Sequence, residues 1–163
     1  MFNKFIKPEY KIAKILTEKR LVVSVAESCT GGLVSSRLTD VSGSSAYIKE
    51  NFVTYSNESK KKFLGVSEEI LAQNGAVSEE CAKEMAQGLY KTGVCDIALC
   101  TTGIAGPTGG SIEKPVGTMF LAIKSKMALL VKRVSIKPKS RKKLKYEFSQ
   151  QALLFLLEYL KTL

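Results

Sequence analysis

Apolar residues recur along this chain with two different periods. In residues 8–20, Ile12, Ala13, Ile15 and Leu16 fall at helical spacing, behind a Pro8 suited to a first turn. "LVVSV", residues 21–25, is short and almost continuously apolar, as a buried strand is. Leu33, Val34 and Leu38 then share one helical face in residues 31–38. "SGSS", residues 42–45, reads as a loop, and "YIKENFVTYS" contains a strand at 51–55. "NESKKKFLGV" turns helical, with Ser56 or Asn57 as its cap, and stops at Gly65. Residues 67–72 form a short helix, because Glu68 and Glu69 suit a first turn. Ser78 caps a longer helix that runs to about Tyr90, with Gly93 beyond its end. "DIALCTT" is a second buried strand, followed by a long glycine-rich loop over residues 103–117. "TMFLAI" and "ALLVKRVSI" are two more strands, and a helix over 140–161 closes the chain. This alternation of helices and strands predicts a layered α/β sandwich. With no internal repeat and no Pro/Ser linker, the 163 residues are expected to form one domain, residues 1–163.

Composition narrows the class. A hydrophobic content of 45% with 25% charged residues is that of a soluble globular protein. No apolar run reaches the length of a membrane span. "MFNKFIKPEYK" lacks the apolar core and cleavage site of a secretory signal, so a cytoplasmic protein without a membrane partner is expected. Of the +10 net charge, residues 132–145 contribute eight basic side chains and no acidic one, leaving +2 for the rest. That segment has a single aromatic, Tyr146, at its edge and matches no nucleic-acid module. A solvated basic edge is its simplest reading, a small-phosphate site the next, and nucleic acid is not the expected partner.

Two features restrict the chemistry. The chain has no histidine, which excludes Ser-His and Cys-His pairs and removes the commonest transition-metal ligand. Any nucleophile must take Lys, Tyr, Asp or Glu as its base. The four cysteines, Cys29, Cys81, Cys95 and Cys100, have no metal-ligand spacing. If Cys95 and Cys100 share a strand, they face opposite sides of it, which disfavours a joint metal site or a disulfide. Buried packing is the ordinary role of such cysteines, but Cys29 adjoins Ser28.

The candidate chemistry gathers at strand ends. Glu27, Ser28, Thr30 and the Gly31-Gly32 pair follow the first strand, and the 103–117 loop follows the second long one. Ligands of open α/β sheets bind outside the carboxyl ends of the strands. A turn there exposes Ser28, and the helix beyond it offers amides to an anion or oxyanion. The double glycine alone is a weak signal, since it often marks only a turn. Lys60, Lys61 and Lys62 supply a possible base. A desolvated lysine in the first helical turn loses basicity and becomes a neutral base, whereas periodicity leaves open which of the three turns inward.

Four stretches, "AESCTGG", "VTYSNESK", "GAVSEECAKEMAQG" and "TGIAGPTGGSIEKPVGT", occur in an order and spacing that resemble the C-terminal domain family of CinA, the competence/damage-inducible protein. The resemblance spans about residues 8–162. Stand-alone members of that family are nicotinamide-nucleotide amidohydrolases, which convert nicotinamide mononucleotide (NMN) and water to nicotinic acid mononucleotide and ammonia. The resemblance implies a three-layer sandwich with a central mixed sheet and helices on both faces. It implies a Ser-Lys acyl-enzyme mechanism with no metal and no cofactor, and a homo-oligomer is expected. The family's serine falls on Ser28, its lysine on Lys60 and its tyrosine on Tyr55, read as relaying or orienting the proton. Its small hydroxyl residue falls on Thr102. The amides near Thr30, Gly31 and Gly32 would hold the oxyanion. Substrate contacts are further expected from Glu27, from Gly103, Gly106, Gly109 and Gly110 of the long loop, and from Arg141. Glu27 has several possible roles: positioning Lys60, binding ribose hydroxyls, or pairing with a cation. The family's basic motif departs here: Ser140 stands for its aspartate and Lys145 for its second arginine. The competing expectation is a catalytically silent nucleotide-binding or competence-associated accessory domain.

Overall fold

The computed structural model describes residues 7–163; the first residues of the "MFNKFIKPEYK" stretch lie outside the described residues. Twelve elements follow one another. Helix α1 (Pro8–Lys19) leads to β1 (Val23–Glu27), α2 (Leu33–Thr39), a short 3-10 turn (Ser44–Ala46) and β2 (Ile48–Val53). Helices α3 (Asn57–Leu64), α4 (Glu68–Asn74) and α5 (Glu79–Lys91) come next. Strands β3 (Ile97–Gly103), β4 (Thr118–Ser125) and β5 (Leu129–Ser135) precede the last helix, α6 (Arg141–Leu160).

The strands form one mixed sheet in the order β2-β1-β3-β4-β5. Strands β2, β1 and β3 run parallel, and β4 and β5 are antiparallel additions. Side chains alternate in size across this sheet. On one face Val23, Val25, Leu99, Met119, Leu121 and Ile123 meet α1, α2 and α6 through Ile12, Leu16, Leu38, Phe148 and Leu156. On the other, the smaller Ala26, Ala98, Cys100 and Ala122 meet Leu64 of α3 and Cys81, Met85 and Leu89 of α5. Helices on both faces make the three-layer α/β sandwich. A buried Arg37–Glu9 pair at 3.0 Å joins α2 to α1. The same guanidinium donates to Ser149 and Gln150 of α6 and lies over the Tyr146 ring, 5.0 Å from its centroid, so the buried charge is well partnered.

Two strands and one cysteine differ from their sequence expectation. Strand β1 starts at Val23 rather than 21 and runs on to Glu27, because that carboxylate is fully satisfied by hydrogen bonds inside the fold. Strand β2 starts three residues earlier and ends two residues earlier than expected, at a sheet edge where Lys49 and Glu50 are exposed and mask the strand pattern. Cys95 precedes β3, so the alternation argument does not apply to it, and Cys95 and Cys100 both pack into the second core. All four cysteines are free and buried.

Two contacts aim α3 at the sheet. Ser56 caps it in a reciprocal pair with Ser59, which sets its start. At its other end Leu64 lies directly on Gly88 of α5: a Cβ there would sit 1.7 Å from the Leu64 carbonyl oxygen. Only glycine permits that approach. Among the described residues no helix is long and apolar enough to cross a membrane.

Candidate active site

The carboxyl ends of β2, β1 and β3 lie side by side, with Val53 and Thr101 in register with Glu27. The chain therefore leaves the sheet here in three adjacent turns. β1 is also where the strand order reverses, with β2 on one side and β3 on the other.

Ser28 opens the turn between β1 and α2. Its N–H donates to the Thr101 carbonyl at 3.0 Å, and its Oγ lies 3.0 Å from the Nζ of Lys60. Lys60 reaches it from α3, where Lys60 and Leu64 form the buried face. Only 1% of Lys60 is exposed. Its Nζ also donates to the carbonyls of Thr54 at 2.7 Å and Tyr55 at 3.5 Å, and no carboxylate is among these contacts. Burial lowers the Lys60 pKa from the ordinary lysine value, against weaker opposing pulls from Cys81 and Cys29. The geometry suits the neutral amine. Two carbonyls can only accept, so its two N–H groups go to them, and the lone pair is left for the Ser28 hydroxyl proton. Lys61 lies 3.7 Å from Glu68, and Lys62 is exposed over the Phe63 ring.

The other expected residues divide into those at this site and those engaged elsewhere. Glu27 is wholly buried, and its carboxylate accepts from the amides of Gly32, Val34 and Ser35 and from the Ser35 hydroxyl. The expectations that it binds substrate or positions Lys60 are therefore corrected: Glu27 caps α2. The amides of Gly31 and Gly32 are likewise engaged, with the Ser28 carbonyl and with Glu27, so they are not free for an oxyanion. The amides of Cys29 and Thr30 make no hydrogen bond among the described residues. The Thr30 side chain turns inward, 2.8 Å from the Thr101 hydroxyl. Thr102 is also buried, and its hydroxyl donates to the Ala76 carbonyl at 2.7 Å, so it holds the α4–α5 connection and not a substrate.

Tyr55 corrects a second expectation. The residue is 58% exposed, and its hydroxyl accepts from Arg141 Nη2 at 2.6 Å. Only its carbonyl is near Lys60, so the hydroxyl is not a relay between Lys60 and Ser28. Arg141, the first residue of α6, also donates to the Gly106 carbonyl at 2.7 Å. It thus joins the β2–α3 turn to the glycine-rich loop. Within that loop a Cβ at Gly106 or Gly110 would strike Val116, so these glycines serve the loop's own packing. Gly109 is exposed at positive φ near Ile104, and Gly103 ends β3 against β4. Beside the Ser28 turn a cleft of about 350 Å³ is lined by Thr30, Gly31, Gly32 and Leu33 together with Lys142 and Lys145. The Lys145 ammonium hangs over Gly31, 3.1 Å from where a Cβ would stand.

Residues 6–160 match the CinA C-terminal domain. The chain belongs to this CinA family. It is 48% identical over 152 residues to a CinA-like protein of Syntrophus aciditrophicus, covering 93% of this chain and 36% of that protein. A CinA-like protein of Chlorobaculum tepidum is 48% identical over 157 residues, 94% of this chain and 37% of its own length. The chain thus spans little more than a third of these curated relatives. Among solved structures, the competence/damage inducible protein CihA from Agrobacterium tumefaciens superposes with a TM-score of 0.88 at 39% identity, covering 96% of this chain and 98% of that one. A CinA superfamily protein from Klebsiella pneumoniae gives 0.90 at 30% identity, covering 96% and 97%. These whole-chain matches carry the CinA-family sheet and helix layers.

Sequence reasoning missed Thr101, whose carbonyl and hydroxyl lie under the Ser28 turn, and the Thr54 carbonyl that holds Lys60. The Thr54 contact is a backbone one and has no residue-type signal. Thr101 becomes visible only with the β1–β3 register, which sets it beside Glu27.

Proposed function

We propose that this CinA-family chain is an amidohydrolase that deamidates NMN through an acyl-enzyme on Ser28. The observation that carries the reading is the buried Lys60 amine, 3.0 Å from the Ser28 hydroxyl and without a carboxylate partner. Neutral Lys60 takes the Ser28 proton as Oγ attacks the carboxamide carbon. The oxyanion is held by the amides of Cys29 and Thr30; such a donor typically contributes about 3 kcal/mol of barrier lowering. The tetrahedral intermediate collapses, Lys60 gives its proton to the leaving nitrogen, and ammonia departs. Water then attacks the acyl-enzyme, passing a proton to Lys60, and nicotinic acid mononucleotide leaves as Ser28 recovers its hydrogen. The carboxamide amine is thus exchanged for a hydroxyl with no change of oxidation state.

The basic pair Lys142 and Lys145 suits the substrate's phosphate, since both line the cleft beside the Ser28 turn, while Arg141 braces the neighbouring glycine-rich loop through the Gly106 carbonyl. Lysine at position 145 gives a point charge in place of a bidentate fork, so orientation there is looser than with arginine. Incubation of the purified chain with NMN, with ammonia and nicotinic acid mononucleotide both quantified, tests the reading. Stoichiometric release of the two products is expected, and release of neither product at millimolar NMN would overturn it.

A further inference from the structure

The turn that carries Ser28 is held from beneath by one side chain. Thr101 lies in β3, wholly buried, in register with Glu27. Its carbonyl accepts the Ser28 N–H at 3.0 Å, and its hydroxyl lies 3.4 Å from the same nitrogen. That hydroxyl is 2.8 Å from the Thr30 Oγ1. Ser28 and Thr30, on either side of Cys29, thus converge on one oxygen. The far end of the turn is held separately, by Glu27 on the amides of Gly32, Val34 and Ser35. Between the two anchors only the amides of Cys29 and Thr30 remain without partners. A buried hydroxyl pair is costly to leave half-made, so the turn has little freedom to rotate about it.

We infer that Thr101 is the positioning residue of this nucleophile turn: its hydroxyl sets the rotation of residues 28–30, and so aligns the Ser28 Oγ with Lys60 and the two free amides with the oxyanion. This deepens the reading of Ser28 as a nucleophile and rests on it. Thr101 touches no substrate and acts only through its neighbours. A displacement of about 1 Å in such a turn can lower a rate by about 100-fold.

The test separates positioning from packing and from substrate choice. Thr101→Val keeps the shape and removes the hydroxyl; Thr101→Ser keeps the hydroxyl; Thr30→Val with Thr101→Val removes both members of the pair and leaves neither unpartnered. The probe is an alkyl fluorophosphonate, which phosphonylates an activated serine with loss of fluoride. Its rate is read by intact mass and needs no natural substrate. The wild type is expected to take one label on Ser28, Thr101→Val to label about tenfold slower or worse, and Thr101→Ser to stay within about threefold of wild type. The double variant should melt near the wild type yet label as slowly as Thr101→Val. With NMN, the loss in Thr101→Val should fall on kcat and leave KM within about twofold. Wild-type labelling rates in Thr101→Val, or in the double variant, would overturn the inference. A wild type that labels on Ser28 but releases no ammonia from NMN would sink the substrate reading and leave this one standing. A wild type that takes no label would remove the nucleophile and the inference together.

Discussion

At the scale of single residues, the decisive contrast lies within the run Lys60, Lys61 and Lys62. Consecutive helical positions point about 100° apart, so at most one of the three can face Ser28 squarely. Lys60 does, and it is the buried one. Lys60→Met keeps much of the apolar stem and removes the base; it should lower kcat by about 10² to 10⁴-fold, while the same change at Lys61 or Lys62 should alter it only a few-fold. Steady-state kinetics on the three variants decide this. The lowered Lys60 pKa also has a sign. The fold disfavours the charged amine, and that penalty is complete below the folded pKa and vanishes as pH rises through it toward the unfolded value. The rate should therefore climb with pH along a limb centred below the ordinary lysine value of about 10.4. Melting temperatures of the wild type, measured against Lys60→Met, should rise relative to the variant as pH climbs toward the ordinary lysine value. A relative fall would mean that Lys60 is stabilised as a cation. Cys29 is the complementary case. Burial pushes its thiol up to about 12, so it carries almost no thiolate near neutrality. Ser28→Ala should abolish deamidation with the fold intact, and Cys29→Ala should be far milder. Alkylation of Cys29 at neutral pH, detected by peptide mapping, should not occur in the native chain.

At the scale of elements, the site depends on how closely two helices approach. Helix α3 delivers Lys60 only because Leu64 sits on a bare glycine of α5. Gly88→Ala would place a methyl group 1.7 Å from a backbone oxygen, so α3 must move. Lys60 moves with it. The variant should lose about tenfold or more in kcat together with a lower unfolding midpoint, whereas a pure packing defect would lower the midpoint alone. Helix α2 has a different anchor. Its amino end is held by the Glu27 carboxylate, which four donors surround. Glu27→Gln turns one acceptor oxygen into an NH2 group facing N–H donors. It should cost about 1–3 kcal/mol in denaturant unfolding and lower kcat more than it raises KM. A residue that bound ribose would show the opposite split.

At the scale of the whole molecule, the excess positive charge is less available than its total suggests. Lys132 faces Glu158, Lys139 pairs with Glu147, Arg133 donates to the Glu113 carbonyl, and Arg141 is turned toward Tyr55 and Gly106. What remains near the cleft suits one small phosphate. Filter binding of duplex DNA should therefore show only weak retention at low salt that disappears near physiological ionic strength. Micromolar retention at that salt would restore a nucleic-acid role. The ligand supply for a metal is similarly thin: the chain has no histidine, and no group of three Cys, Asp or Glu gathers among the described residues. Deamidation should survive dialysis against a chelator, and activity lost there and restored by a divalent ion would require another mechanism.

Much of this was legible in the chain itself. Local signals are short-range, and where a cap or a period decides an element, the chain carries it. Ser56 and Ser78 mark helix starts, Gly65 marks a stop, and the apolar spacing in α1 marks its buried face. The serine and lysine stood out because their motifs are contiguous in sequence. Edge strand β2 did not, because an exposed edge need not be apolar. Nor did the fates of Glu27, Thr102 and Tyr55, whose residue types suit a substrate as well as they suit the fold. Their hydrogen bonds are decided by strand register and by which helix arrives opposite: Glu27 meets the start of α2, Thr102 meets Ala76 and Tyr55 meets Arg141. Residue types and local spacing determined the elements and offered Ser28 and the run Lys60, Lys61 and Lys62, from which the family resemblance chose Lys60. Only the tertiary structure, by setting β1 beside β3 and α3 against α5, decided which polar groups are left free for chemistry and which are already satisfied, because a hydrogen-bond partner far along the chain leaves no periodic trace.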